Sequence, residues 1–175
     1  MKIVSDAGPL MALAKVDGLA VLFRLFPRIL IPPATHEETV VAGQRLGAPD
    51  AALVEAWCNE ENLILAAPTL PSLPVPLRLG PGEDESIRLA IEHRADWLLI
   101  DDYDARQGAL ACFQAAGVTT QIKGTLGILM SAHQEGHLSR SEAIDLVKAL
   151  SQRPDIWISS DLCRRVIELL ARSSR

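Results

Sequence analysis

Aromatic residues are scarce in this 175-residue chain, at 4% of positions, although apolar residues as a whole make up 49%. Its core must therefore be built from closely packed Leu, Ile, Val and Ala. Cysteine is also sparse: Cys58, Cys112 and Cys163 are widely separated, odd in number and embedded in helical patterns. That spacing excludes a disulfide framework and a thiolate metal site, and it suits small buried hydrophobes of a reducing compartment. No stretch approaches the roughly 18 consecutive apolar residues of a membrane helix, and the opening Met-Lys-Ile-Val-Ser-Asp has no run of signal-peptide length. A cytoplasmic protein with no membrane partner is expected.

An excess of positive charge is missing too. Lys and Arg number 17 against 22 Asp and Glu, a net charge of -5. This disfavours broad electrostatic capture of a polyanion, so any phosphate-binding surface has to be local, with Arg106, Arg164 and Arg165 as candidates. A site made of carboxylates stays compatible with phosphate chemistry, because a bound cation reverses the local field. No nucleotide-binding glycine loop is present, since Gly80-Pro81-Gly82 lacks the lysine and hydroxyl pair. His133 and His137 stand at i and i+4, but Gly136 between them should end the helix, so they make no convincing metal site.

What is present is an alternation of short β-rich runs and amphipathic segments. Strands are expected at residues 2–5, 28–31, 62–67, 97–100 and 118–121. Between them, apolar residues recur at helical spacing: two short helices divided near Asp17-Gly18, one from Ala34 to about Gly43, one from Pro49 to about Glu60, and one from Gly82. Further helices follow at 105–116 with Gly117 as the stop, from Lys123 or Gly124 to about Gln134, and at 141–150 and 160–171. Ser141 with Glu142, and Asp161, stand where the last two open and supply caps or first-turn charge. Residues 68–81 hold five prolines and read as an irregular connection whose Leu and Val residues cover a core edge or meet another subunit. Helices alternating with strands specify an α/β fold, a three-layer α/β/α arrangement around a mostly parallel sheet. One domain is expected over 1–175, including a C-terminal helical region at about 139–171, with a disordered polar tail at 172–175.

Four regions place acids just after a strand or in the next helix: Asp6, Glu37 with Glu38, the run Glu83-Asp84-Glu85, and Asp101 with Asp102. In an open parallel sheet these positions converge outside the carboxyl ends of the strands, where ligands bind. Converging carboxylates repel one another unless a cation joins them, and their hard oxygens suit Mg²⁺ or Mn²⁺. Such an ion can polarise a phosphate and prepare a water for attack. Within the acidic run, Glu83 begins the inward stripe continued by Ile87 and Ile91, Asp84 lies on its flank and Glu85 is rotated away.

The segments Ile-Val-Ser-Asp-Ala-Gly-Pro-Leu-Met-Ala-Leu-Ala, Ile-Pro-Pro-Ala-Thr-His-Glu-Glu, Gly-Glu-Asp-Glu-Ser-Ile-Arg-Leu-Ala, Leu-Leu-Ile-Asp-Asp-Tyr-Asp-Ala-Arg and Gly-Thr-Leu-Gly-Ile-Leu together resemble the PIN-domain superfamily. They look most like its VapC-like branch of toxin ribonucleases. The resemblance covers about residues 2–134 and is expected to take in the C-terminal helices. It implies a Mg²⁺- or Mn²⁺-dependent endoribonuclease acting on RNA, with Asp6, Glu38, Glu83 or Glu85, and Asp102 as its acidic positions and Asp101 adjacent. Ser5 and Thr125 are implied as supporting hydroxyls that orient ligands or phosphate. A homodimer and a small antitoxin partner are implied as well. The alternative is a catalytically silent PIN-like interaction module. One departure stands in the first motif, where Asp-Ala-Gly-Pro lacks the hydroxyl residue that relatives often carry beside the proline.

Overall fold

The computed structural model describes residues 1–60 and 62–172; the polar tail expected at the C-terminus lies outside them from residue 173 onward. Five three-residue strands form one parallel sheet: β1 (Ile3–Ser5), β2 (Ile29–Ile31), β3 (Leu63–Leu65), β4 (Trp97–Leu99) and β5 (Gln121–Lys123), in the order β3-β2-β1-β4-β5. Parallel neighbours need crossovers, and helical segments supply them. They are α1 (Ala7–Ala14), α2 (Leu19–Leu25), α3 (Pro33–His36), α4 (Gly43–Arg45), α5 (Pro49–Asn59), α6 (Pro81–His93) and α7 (Tyr103–Ala116). After the sheet come α8 (Thr125–Gln134), α9 (Arg140–Ser151) and α10 (Ser160–Arg172).

Side chains alternate across a strand, so the sheet separates two cores. Ile3, Ile29, Ile31 and Leu99 face a core completed by Leu13, Leu22, Leu129, Val147 and Val166. Val4, Leu98 and Ile100 face the other, where Ile87, Ala90, Ala109 and Phe113 meet them. The fold is α/β, a mostly parallel sheet flanked by helices. Among the described residues, no helix is long and apolar enough to cross a membrane.

Three local expectations change. The final strand lies at Gln121–Lys123 rather than 118–121, because pairing with β4 sets Trp97 opposite Gln121 and Leu99 opposite Lys123. Val118 is instead spent on the helix stop, its amide donating to the Phe113 carbonyl at 3.0 Å beyond the left-handed Gly117. Helix α9 is capped by Ser139, not Ser141, through a capping box in which Glu142 Oε2 accepts from the Ser139 amide at 2.7 Å. The segment after β2 is not one plain α-helix: a π-helical turn, Glu37–Ala42, separates α3 from α4.

The proline-rich connection covers a core edge. Leu73, Val75, Leu77 and Leu79 pack against the second core, and Glu92 accepts from the Thr69 amide and hydroxyl at 2.7 and 2.6 Å to tie the segment to α6. Gly108 of α7 makes room for it: a Cβ there would lie 2.6 Å from Leu77 Cδ1 and 3.2 Å from Cδ2. Glycine inside a helix ordinarily costs about 1 kcal/mol relative to alanine. Gly108→Ala should nevertheless lower stability in urea unfolding by about 1–2 kcal/mol through overpacking. In a Leu77→Ala background the same change should raise stability; equal effects in both backgrounds would contradict this packing.

Candidate functional site

The chain enters the sheet at its centre, moves outward through β2 and β3, then returns to β4 on the other side of β1. Connections therefore leave β1 and β4 in opposite directions and open a crevice beyond their carboxyl ends. Asp6 follows β1 directly, and Asp101 follows β4 after Ile100. The segment after β2 brings in Glu38, and the N-terminus of α6 brings in Glu83. All four line one cleft of about 1020 Å³, together with Asp102, Arg106 and Lys123.

Asp6 is buried, at 7% exposure. Its amide extends the β1–β4 ladder to Leu99 at 2.9 Å, and its carboxylate caps α1 by accepting from the Gly8 amide at 3.5 Å. That amide is the donor available where the Asp-Ala-Gly-Pro motif lacks a hydroxyl. The Glu38 carboxylate approaches from the π turn, a feature frequent at functional sites, while its neighbour Glu37 pairs outward with Arg45 at 3.3 Å. The point of convergence is Gly82: a Cβ on it would stand 3.0 Å from Asp6 Oδ1 and 3.4 Å from Glu38 Oε2. Behind it, the buried hydroxyls of Thr35 and Ser86 lie 3.5 Å apart.

Burial, with neighbouring charge added, makes these carboxylates hard to ionise. Burial, opposed by the Ala7 and Gly8 amides and reinforced by Glu38 and Glu83, pushes Asp6 up to about 6. Burial and the charge of Glu83 likewise raise Glu38 above the usual carboxylate range. No ion pair relieves Asp6, Glu38 or Glu83 among the described residues.

The acidic run at the start of α6 divides into three tasks. Glu83 lines the cleft and accepts from the Gly80 amide at 2.8 Å, closing the first turn of the helix. Asp84 pairs with Arg88 at 2.7 Å. Glu85 turns the other way and accepts from the Ala34 amide at 2.9 Å, pinning the start of α3 to α6. Glu85 does not line the cleft.

The double acid after β4 divides as well. Asp101 accepts from the Thr125 amide at 2.8 Å through Oδ1 and from the Thr125 hydroxyl at 2.5 Å through Oδ2. Burial raises its pKa, against the lowering effects of Thr125 and Arg106. Asp102 is exposed and caps α7, accepting from the Ala105 amide at 2.7 Å. Ser5 donates to the Asp6 backbone carbonyl at 2.9 Å and so steadies the backbone rather than the carboxylate.

Among the described residues, no three of His, Cys, Asp and Glu stand in a ready-made coordination group. The pair of oxygens around Gly82, with Glu83 beside them, still fits a hard divalent cation by chemistry: unpaired carboxylates with no histidine or cysteine lining the cleft. Arg106 is the one basic candidate brought to this cleft; Arg164 instead pairs with Asp161 on α10. His133 Nδ1 donates to the Leu138 carbonyl, 3.1 Å away, and His137 lies 4.0 Å from Glu135. Neither lines the cleft.

The raised pKa of Asp6 has a definite sign. Between about 4 and 6 the folded chain holds a proton that the unfolded chain has lost, so stability falls as pH rises through this window. Asn keeps the cap and removes the charge. In EDTA, Asp6→Asn should be more stable than the native chain by about 1–3 kcal/mol at pH 7.5, and the gain should vanish near pH 4. A variant equally or less stable at pH 7.5 in denaturant titration would contradict the buried charge.

No curated protein and no solved structure matches the chain. The family described as DUF3368: PIN domain matches residues 2–172, which takes in the sheet, the cleft and the C-terminal helices α9 and α10. With that extent of match, the chain belongs to the PIN-domain family.

Proposed function

We propose that this protein is a Mg²⁺- or Mn²⁺-dependent endoribonuclease of the VapC-like kind, a single domain that hydrolyses RNA phosphodiester bonds. The observation that carries the reading is the approach of the Asp6 and Glu38 carboxylates to Gly82, with Glu83 lining the same cleft and no ion pair to any of the three among the described residues. Asp6, Glu38 and Glu83 are assigned to holding the ion. Bound there, a divalent ion supplies positive charge for the phosphate and acidifies a water. Asp101 fixes the start of α8 through Thr125, and Asp102 fixes the start of α7, so both shape the cleft wall on which Arg106 faces the substrate phosphate. The natural setting proposed is a cytoplasmic toxin, homodimeric and held by a small antitoxin protein.

A catalytically silent interaction module is the second reading. Its support is the hydrogen bonds already made within the fold by Asp101, Asp102 and Glu85.

An RNA oligonucleotide panel incubated with EDTA, then with Mg²⁺ or Mn²⁺, separates the two. Cleavage restored by the ion, and lowered at least about 100-fold in Asp6→Asn and Glu38→Gln with the fold retained, is expected; removing a single charge-stabilising group commonly has an effect of this size. Folded protein that cleaves nothing under any of these conditions supports the silent module. Gly82→Ala gives an independent check, because its methyl intrudes between the carboxylates. It should keep or raise the melting temperature in EDTA while losing the stabilisation that Mn²⁺ confers on the native chain. Undiminished Mn²⁺ stabilisation would remove the ion from this place.

A further inference from the structure

The cleft does not end at the acids. It continues along α1 and α8, past Met11, Leu126 and Met130, to the connection between α9 and α10, where Trp157 forms its far rim. Trp157 is 100% exposed, although the chain has only three tryptophans and places the other two in contacts. Trp57 stacks on Phe23 with ring centroids 4.3 Å apart, and Trp97 lies under the Lys123 ammonium at 4.1 Å.

The outward indole is not a loose end. Ile156 and Ile158 on either side of it pack against the first core, while the indole between them is left to solvent. Asp155 anchors the same segment: Arg153 donates to it through Nε and Nη2, both at 2.9 Å, and Lys15 pairs with it at 3.1 Å. Arg153 also donates to the Lys15 carbonyl at 3.3 Å. Lys15 is the C-cap of α1, the helix that Asp6 caps at its other end. One helix of eight residues, about 12 Å long, therefore fixes the separation between the acidic site and the tryptophan.

We propose that Trp157 is a base-stacking platform for single-stranded RNA whose phosphate chain runs to the acids, an inference that rests on the nuclease reading of those acids. An aromatic face combined with nearby cations is the chemistry that holds unpaired nucleic acid, because every base has a flat face and duplex bases are already stacked. Tyr103, 72% exposed, lines the same cleft beside Asp102, and Arg106 lies next to Asp101. Rings and cations thus line one continuous channel with the carboxylates, which favours a nucleic-acid strand over a protein partner.

The test compares the native chain with Trp157→Ala and Trp157→Phe, using a labelled single-stranded pyrimidine RNA and its duplex form. Anisotropy is read in EDTA at low ionic strength, and kcat and KM are read in Mn²⁺. Trp157→Ala should bind the single strand about 5- to 100-fold more weakly, the loss of one stacked base. Its KM should rise in parallel while kcat and Mn²⁺ affinity hold. Trp157→Phe should retain most of the affinity, and duplex binding should not depend on the residue. Unchanged single-strand affinity in Trp157→Ala, or no binding by the native chain, overturns the platform. So does conversion of a dimer to a monomer in sedimentation with RNA affinity intact, which would make the indole a self-association contact. Trp157-dependent binding without cleavage by the native chain keeps the platform and rejects the nuclease reading.

Discussion

The burial of the Asp6 carboxylate, with Glu38 approaching the same Gly82, is the constraint around which the rest of this structure is arranged. A buried carboxylate raised to about 6 is an unfavourable group to hold in a folded chain. The surrounding fold holds it anyway: Asp6 stands at the end of the central strand, its backbone bonded to β4 and its side chain to the first turn of α1. The two hydrophobic cores on either side of the sheet offset that cost. A site strained in this way is suited to an ion that binds the folded form and not the unfolded one.

The supporting acids show how one chemical group can serve several ends. Glu85 and Asp102 cap helices, Asp84 neutralises Arg88, and Asp101 locks the start of α8 through both of its oxygens. Each is a carboxylate near the same sheet edge held by a close donor or an ion pair, whereas Asp6 keeps a longer contact to the Gly8 amide and Glu38 has no ion pair among the described residues. Position along the chain therefore does not decide how an acid is held.

Much of this could be read before any coordinates. Periodicity located the strands and most helices, the acids fell after strands whose parallel order brings them to one edge, and helical phase singled out Glu83 over Glu85 for the cleft side. What could not be read depends on register or on space rather than on residue type. β5 begins three residues later than expected because its pairing with β4 outweighed the β-propensity of Val118 to Thr120. The π turn that carries Glu38 has no local signal. Gly82 and Gly108 owe their identity to the atoms facing them, Asp6 Oδ1 and Leu77 Cδ1, which are remote in sequence. The family match extends through α9 and α10, and the cleft runs on to the segment between them; the short motifs reach only to about residue 134.

The most direct test of the central claim is a crystal structure of the native chain grown with Mn²⁺, with anomalous scattering used to locate the ion. The account requires an anomalous peak bridging the Asp6 and Glu38 carboxylates beside Gly82, with Glu83 drawn toward it. Ordered, full-length protein in saturating Mn²⁺ with no peak there, or with its only peak on another surface, would contradict it.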